Sequence, residues 1–338
     1  MNFNGKKKCL QKYGKNPLSY LSLINHLDSL IGDFDGFITY KKKFNTIIAL
    51  GDPIVPEKNF QRAIEKLKSI SYKNKNSICI FSCSDRISSI LDEKEFKGIS
   101  IGKTAVVNLS KFTIKGGKNW SIRSSINYAK KHNYVIEEYN PSYYFSEELE
   151  DNIKKISEQW LRIKNIPEPR FVIGKLNFND EFDQRFFICR NKGEIVGYIN
   201  YYPVSDKEYY LDHTRRITNA PRGVMDFLMV KSFEKLKSEG FEKVYIGLSP
   251  FKMEECKNAH FSLVEKIFFQ IGKYLISLFY PIKSEYFFKK KYATNWEMNY
   301  CYFFPRLSFK SFLSLSNIFY SGGIKSLLYK KLKGIIKR

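Results

Sequence analysis

The sequence predicts a mixed α/β (α+β) protein laid out as two successive units. Strand-like and helix-like runs alternate along nearly the whole chain, the pattern that packs helices on a sheet. The order strand, strand, strand, helix, strand is legible in the second half and something similar appears in the first. A chain of 338 residues is also long for one comfortable core and suits two of ordinary size.

In the first half, Phe37–Tyr40 and Thr46–Leu50 read as strands closed by the turn signal Gly51-Asp52-Pro53. Helical spacing follows from Glu57 to Ile70, with Phe60, Ala63, Ile64 and Leu67 on one face. Ile78–Phe81 is a short buried strand, Ser84–Leu91 a helix and Thr104–Leu109 another strand. A helix carrying Ile122, Ile126 and Ala129 on one side and Lys130 and Lys131 on the other closes this half near Tyr134.

The second half opens with a helix over Ser146–Ile163. Strands at Arg185–Arg190 and Ile195–Pro203 flank Asn191-Lys-Gly-Glu194, a hairpin signal. Tyr209–Thr214 is a further strand, Val224–Glu239 a helix that Gly240 is placed to end, and Lys243–Leu248 the strand after it. This order is that of the acetyltransferase-like (GNAT) fold. The expected layout is therefore two tandem units of that kind, residues 1–142 and 143–306, with the second carrying the site, followed by a basic amphipathic tail over 307–338.

Lys and Arg outnumber Asp and Glu by 57 to 34, a formal charge of +23. Such an excess attracts polyanions, RNA or an anionic lipid surface, without choosing between them. Cys9, Cys79, Cys83, Cys189, Cys256 and Cys301 are scattered, with no Cys-x-x-Cys pair for zinc or redox work, so reduced and mostly buried thiols are expected. Met1 to Gly14 is polar and basic and lacks the apolar core of a signal peptide. Phe261–Tyr280 is the most apolar long stretch, but Glu265, Lys266, Gln270 and Lys273 interrupt it, so it reads as a buried or amphipathic helix. In the tail, Ile324, Leu327, Leu328, Leu332 and Ile335 recur at helical spacing among lysines, a pattern suited to an anionic bilayer or to a basic helix packed on its own domain.

Four ordered segments carry a resemblance. They are Ile101-Gly-Lys-Thr-Ala-Val-Val-Asn-Leu-Ser-Lys-Phe112 with Arg123-Ser-Ser-Ile-Asn127; Trp160-Leu161 with Glu168-Pro-Arg-Phe-Val-Ile-Gly174; Asp212-His-Thr-Arg215 with Ala220-Pro-Arg-Gly-Val-Met-Asp-Phe-Leu228; and Phe288-Lys-Lys-Lys-Tyr292 with Trp296 and Tyr300. Together they resemble the catalytic domain of the phosphatidylglycerol lysyltransferase family (DUF2156). Asn108 and Thr294 stand where that family has Asp and Pro, and the family's multi-span membrane domain is missing from this sequence.

The resemblance implies aminoacyl transfer, of lysyl or alanyl type, from aminoacyl-tRNA to phosphatidylglycerol. No cofactor is implied beyond the charged tRNA, and no metal. The implied partners are tRNA and an anionic phospholipid or membrane surface, and the implied place is the cytoplasm or the inner face of the membrane. Because the ester is already activated, the protein has chiefly to position both substrates and stabilise developing charge. Asp212 would hold the ammonium of the aminoacyl group and Arg215 would grip an acceptor phosphate. Glu168, Lys289, Lys291 and Arg123 would bind substrate, and His213 is a weaker candidate base.

Each residue also has a plain structural reading: Asp212 and Arg215 as an ion pair, Glu168 as a loop charge, the lysines as a solvated face. Other functions compatible with the fold are transfer to a soluble acceptor, acyl-CoA-dependent N-acylation, or a non-catalytic basic module that binds RNA or membrane. Against acyl-CoA, the approach to the second-half helix, Thr218-Asn-Ala-Pro-Arg-Gly-Val-Met225, has a single glycine, and Pro221 removes one backbone donor.

Overall fold

Runs of Ile, Val, Phe and Tyr form the strands, and amphipathic helices cover both sheet faces. The computed structural model describes residues 1–164, 171–250, 262–267, 270–271, 282–319 and 323. The first unit runs α1 (Phe3–Tyr13), α2 (Leu21–Ile24), β1 (Asp28–Gly32), β2 (Phe34–Lys43), β3 (Thr46–Leu50), α3 (Phe60–Lys73), β4 (Ser77–Cys83), α4 (Asp85–Glu93), β5 (Lys97–Asn108), α5 (Trp120–Lys131) and β6 (Val135–Tyr139). The second runs α6 (Glu147–Lys164), β7 (Arg185–Asn191), β8 (Glu194–Ser205), β9 (Glu208–Arg216), α7 (Val224–Ser238), β10 (Lys243–Ser249), then α8 (Ile282–Lys290), β11 (Asn295–Phe304) and α9 (Phe309–Phe319).

Each strand and helix expected up to Leu248 is present, with ends moved by a few residues. Phe60, Ala63, Ile64 and Leu67 are the buried stripe of α3, as their spacing requires. Elements the sequence reading passed over are α1, α2, β1, β6, α8, β11 and α9. Only Leu10 of α1 is buried, so that helix shows almost no apolar periodicity. In β11 the polar residues Glu297 and Asn299 interrupt the run, and its place in the sheet is set by partners far away in sequence. Most of Phe261–Tyr280 and of the tail beyond Phe319, together with Cys256, lie outside the described residues. The described part of the tail, α9, packs over β2, β3 and β4, with Ser311 and Ser314 fully buried.

One sheet holds all these strands in the order β1-β2-β3-β4-β11-β5-β10-β9-β8-β7-β6. Each half of the chain, called a unit only for its place in sequence, contributes three antiparallel strands, a helix, and a fourth strand parallel to the third: β4 on β3, and β10 on β9. The two units then exchange their following strands. β5, from the first, lies against β10, and β11, from the second, lies against β4, while β5 and β11 pair with each other at the centre. Asn299 of β11 fixes this seam by hydrogen bonding on both sides, to Ser82 Oγ (2.9 Å) and Thr104 Oγ1 (2.7 Å). Gly98 is required there, since a Cβ would sit 2.4 Å from the Tyr302 ring.

β6 pairs antiparallel with β7 and so lies at the far edge, beside strands of the second unit. One hydrophobic core is shared, running from Leu10, Leu21 and Ile24 through Ile99 and Cys301 to Tyr202, Tyr210 and Tyr245. Separate clusters sit under α3 and α4, under α5 and α7, and under α6. Cys79, Cys83, Cys189 and Cys301 are buried, as their apolar settings require.

Because the central strands belong to both units, the sheet is expected to unfold as one. Tyr302→Ala, which empties a fully buried position on β11, should cost about 3–5 kcal/mol. Amide protection in β3 and β8 should be lost at the same lowered urea concentration. Loss in β3 alone would show that the units unfold independently.

Candidate functional site

The opening in the sheet lies where β9 and β10 part. These strands are parallel and pair only from Glu208–Lys243 to Tyr210–Tyr245, although β9 runs on to Arg216 and β10 to Ser249. Beyond Tyr210 their backbones diverge, leaving a wedge with polar main-chain edges. Parallel strands that separate in this way expose backbone groups and side chains to a ligand without breaking the rest of the sheet.

Asp212 and Arg215 stand three positions apart, a spacing that puts side chains on opposite faces of a regular strand. Here a β-bulge intervenes. Tyr201 faces Leu211 and Ile199 faces Thr214, so the single residue Asn200 opposes both Asp212 and His213. Asn200 Oδ1 accepts from the His213 backbone N–H (2.9 Å), satisfying a donor that the bulge removes from the ladder. The extra residue shifts the alternation and brings Asp212, His213 and Arg215 to the α6 face. His213 Nε2 lies 3.5 Å from Asp212 Oδ2, and both side chains are buried.

The Asp212 carboxylate accepts the Gly174 backbone N–H on both oxygens, at 3.0 and 3.1 Å. The approach is close: a Cβ at Gly174 would lie 2.8 Å from Asp212 Oδ2 and 3.1 Å from the Tyr202 hydroxyl. Arg215 is buried beneath α6, donating to Ser157 Oγ, with its guanidinium 5.3 Å from the Trp160 ring centre. Trp160-Leu161 and Asp212-x-x-Arg215, separate motifs in sequence, therefore meet in space.

Lys289 comes from α8 into the same wedge. It is 6% exposed and donates to the Leu248 carbonyl (2.6 Å), with Glu285 3.7 Å away. A Cβ at Gly247 would lie in ordinary contact with Lys289 Nζ (3.5 Å) and the Tyr210 hydroxyl (3.8 Å), so these groups line the wedge beside it, while its φ of +90 is what favours glycine. Burial lowers the Lys289 pKa, partly opposed by Glu285. Burial raises the phenols of Tyr202 and Tyr210, and the Asp212 charge adds to both shifts. Both are neutral donors at any physiological pH.

The first unit closes one side. Tyr20 stacks on Tyr202 at 5.8 Å and donates to Asp183 (2.9 Å), which also binds Lys7 (2.8 Å). Sequence reasoning missed Tyr20, Tyr202, Tyr210 and Gly247. The doubled tyrosines Tyr201-Tyr202 and Tyr209-Tyr210 on one hairpin were the available signal.

The other expected substrate contacts are placed differently. Lys291 pairs with Asp226 of α7, which also accepts from the Tyr292 hydroxyl, on the sheet face away from Asp212. Arg123 of α5 donates to the carbonyls of Ile114 and Gly116, holding the loop before its own helix. Neither is brought together with Asp212. The geometry makes both of them internal pairs that fix α5 and α7, because buried or half-buried cations take the nearest acceptors. Glu168 lies outside the described residues.

At the matching place in the first unit, beyond Leu50 and Phe81, the wedge is filled. Asp52 there accepts from Ser84 N–H (2.8 Å), Ser84 Oγ (2.6 Å) and Asn16 Nδ2 (3.5 Å), with Arg86 at 3.6 Å. Two surface cavities, about 650 and 580 Å³, are lined by Asp33, Lys58 and Arg62 and by Tyr128, His132 and Pro221, away from Asp212.

Against known proteins, the family described as phosphatidylglycerol lysyltransferase, C-terminal, matches residues 7–303. Proteins named phosphatidylglycerol lysyltransferase from Bacillus subtilis and Staphylococcus epidermidis are 25% identical over 296 residues and 24% identical over 292. Those alignments cover 86% and 85% of this chain, which spans about a third (34%) of the length of these curated relatives. Among solved structures, a C-terminal domain (DUF2156) assigned to lysylphosphatidylglycerol synthetase in Agrobacterium fabrum superposes with a TM-score of 0.80 at 22% identity, covering 95% of this chain and 97% of that one. L-PGS from Bacillus licheniformis gives 0.75 at 21%, covering 97% and 96%. These two likenesses establish the fold.

A buried lysine whose charged form is disfavoured lowers stability wherever the unfolded chain is protonated and the folded site resists it. Lys289→Met is therefore expected to melt at or above the wild-type temperature at neutral pH. Since the folded pKa lies below the ordinary 10.5, the wild type regains stability as pH rises from the folded value towards 10.5. The advantage of the variant should shrink over that interval. An advantage that grows with pH in calorimetric melts would reverse the assignment.

Proposed function

As the chain belongs to the phosphatidylglycerol lysyltransferase C-terminal family, we propose that it transfers an aminoacyl group from aminoacyl-tRNA to phosphatidylglycerol. The observation that carries this is the wedge between β9 and β10. It sets a buried carboxylate, Asp212, a buried ammonium, Lys289, and the phenols of Tyr202 and Tyr210 along one opening. The family supports lysyl as the transferred group; an alanyl group would need the same backbone chemistry.

In the reaction, a glycerol hydroxyl oxygen attacks the ester carbonyl carbon. The new C–O bond forms, the bond to the terminal ribose oxygen breaks, and the glycerol proton ends on that ribose oxygen. Asp212 fits the role of holding the α-ammonium, being already fixed by Gly174 N–H. Lys289 supplies positive charge for the phosphodiester of the acceptor, and the Tyr210 phenol is a neutral donor at the same opening. Such groups are set before the reaction and need little reorganisation during it. Arg215 is a positioning residue in this scheme: through Ser157 and Trp160 it fixes α6 relative to Asp212.

The matching orders β1-β2-β3-α3-β4 and β7-β8-β9-α7-β10, each ending in a parallel pair, support reading the fold as two tandem acetyltransferase-like units, with the site in the second. FemX, at a TM-score of 0.53 and 9% identity, shares the overall fold. Acyl-CoA use is disfavoured by the start of α7. Gly223 there approaches the Ser125 carbonyl so closely that a Cβ would lie 2.7 Å from it, so α5 abuts the place where a pyrophosphate needs open N–H groups. The charge of +23 suits tRNA and an anionic bilayer. Among the described residues no helix is long and apolar enough to cross a membrane.

The test supplies purified protein with radiolabelled aminoacyl-tRNAs and phosphatidylglycerol and counts label extracted into lipid. Asp212→Asn, nearly isosteric, should lower transfer about 100-fold, the scale of losing one preorganised electrostatic contact. Arg215→Ala should lower it too and also destabilise the fold by about 1–3 kcal/mol, by stranding Ser157 under α6. Wild-type transfer by Asp212→Asn would remove Asp212 from the site.

A further inference from the structure

We propose that the end of the sheet bearing the β2–β3 turn is a docking surface for an anionic phospholipid bilayer. It deepens the reading above, on which the identity of the lipid rests. Register brings three loops together there. Thr46, just after the turn, pairs with Ser77, and Ile78 pairs with Phe304, so the α3–β4 and β11–α9 connections lie beside the turn.

The turn and the strand and helix ends beside these loops present aromatics and cations to solvent. Phe44, Tyr72 and Phe309 are 51%, 63% and 55% exposed. Around them Lys41, Lys42, Lys43, Lys73, Lys75, Arg306 and Lys310 are all exposed. None of the seven forms an ion pair with a carboxylate among the described residues. Phe44 sits at the turn tip with φ +45, followed by Asn45 at +58. That conformation suits Gly or Asn in a two-residue hairpin turn and disfavours a bulky side chain by about 1–2 kcal/mol. An exposed phenylalanine held there against its backbone preference, with a lysine ammonium 5.1 Å from its ring, has the make-up of an interfacial anchor: an apolar tip that enters the headgroup layer inside a ring of cations.

Charge complementarity picks the occupant. The other exposed aromatic run, Tyr143-Tyr144-Phe145, is followed by Glu147 and Glu148 and has Glu137 and Glu138 near Tyr144, so an anionic surface would repel it. The three aromatics at the basic end project from separate elements, the β2–β3 turn, the last turn of α3 and the start of α9, whereas an RNA-binding groove aligns its rings as a stacking platform. The placement also suits the chemistry. β10 and β11 both run antiparallel to β5, so the end of β10, where the wedge opens, and the end of β11, at the basic surface, point the same way. Docking by that end would bring the site towards its lipid.

The full chain is sedimented with phosphatidylcholine vesicles with and without phosphatidylglycerol. Binding should require phosphatidylglycerol. At roughly fivefold in affinity for each cation lost near the surface, Lys41→Glu/Lys43→Glu should weaken it at least about twentyfold, and Phe44→Ser should weaken it severalfold. Lys130→Glu/Lys131→Glu, an equal charge change on α5, should change it by less than about twofold. Equal loss in both double variants would reduce the effect to net charge and overturn the proposal. So would loss of tRNA retention on filters by Lys41→Glu/Lys43→Glu with vesicle binding intact, which would make this an RNA surface. Transfer to phosphatidylglycerol in neutral detergent micelles separates docking from chemistry. It should be unchanged in Lys41→Glu/Lys43→Glu, and a parallel drop there would contradict a docking role. Absence of transfer by the wild type in micelles would defeat the functional reading alone, since vesicle binding is measured without it.

Discussion

The pairing of β5 with β11 at the centre of the sheet is the constraint from which the rest follows. Each of these strands comes from one unit and lies against the parallel pair of the other, so neither half can complete its sheet alone. Asn299 shows the chemistry of the seam. A buried amide can be tolerated only when its donors and acceptor are met, and here Ser82 and Thr104, from strands on either side, meet them. The seam is therefore specific in register, since sliding β11 by one residue would strand that amide and turn Tyr302 and Phe304 to the wrong face.

On this platform the site arises from two local departures from regular sheet structure. The separation of β9 from β10 opens the wedge, and the bulge opposite Asn200 turns Asp212 and Arg215 to one face. Three of the four stretches then close on one another, Trp160 on Arg215, Gly174 on Asp212, and Asp226 on Lys291 and Tyr292, while Arg123 ties the loop between Phe112 and α5 within the remaining stretch. Much of what looks like a set of binding charges in sequence is thus a set of internal fastenings. Among the described residues, Asp212 and Lys289 are the charges that line the opening itself.

Buried charge elsewhere in the protein follows a different rule. Arg185 lies between Glu138 and Glu239, at 2.6 Å from each, and ties β6, β7 and the end of α7 together. Burial works against its charge, yet the two carboxylates outweigh it and raise its pKa. Lys289 is compensated only in part, since its carboxylate partner, Glu285, is 3.7 Å away and its short contact is a neutral carbonyl, so burial still lowers its pKa. A cation kept where its charge is disfavoured is costly to the fold, and such positions concentrate at working sites.

By itself the sequence determined the elements whose signals are local. Apolar spacing marked α3, α5, α6 and α7, the Asn-Lys-Gly-Glu loop marked the β7–β8 hairpin, and the ordered motifs marked the family. It also grouped Asp212 and Arg215 with Glu168, Arg123, Lys289 and Lys291 as residues expected at one site. Only the tertiary structure decided which charges reach the opening, because Lys289 and Lys291 are indistinguishable in a run of three lysines until α8 points one to Leu248 and the other to Asp226. It likewise decided the place of β11 and the bulge at Asn200. Both are set by hydrogen-bond partners on distant strands, and such long-range pairing leaves no periodic trace in the residues that make it.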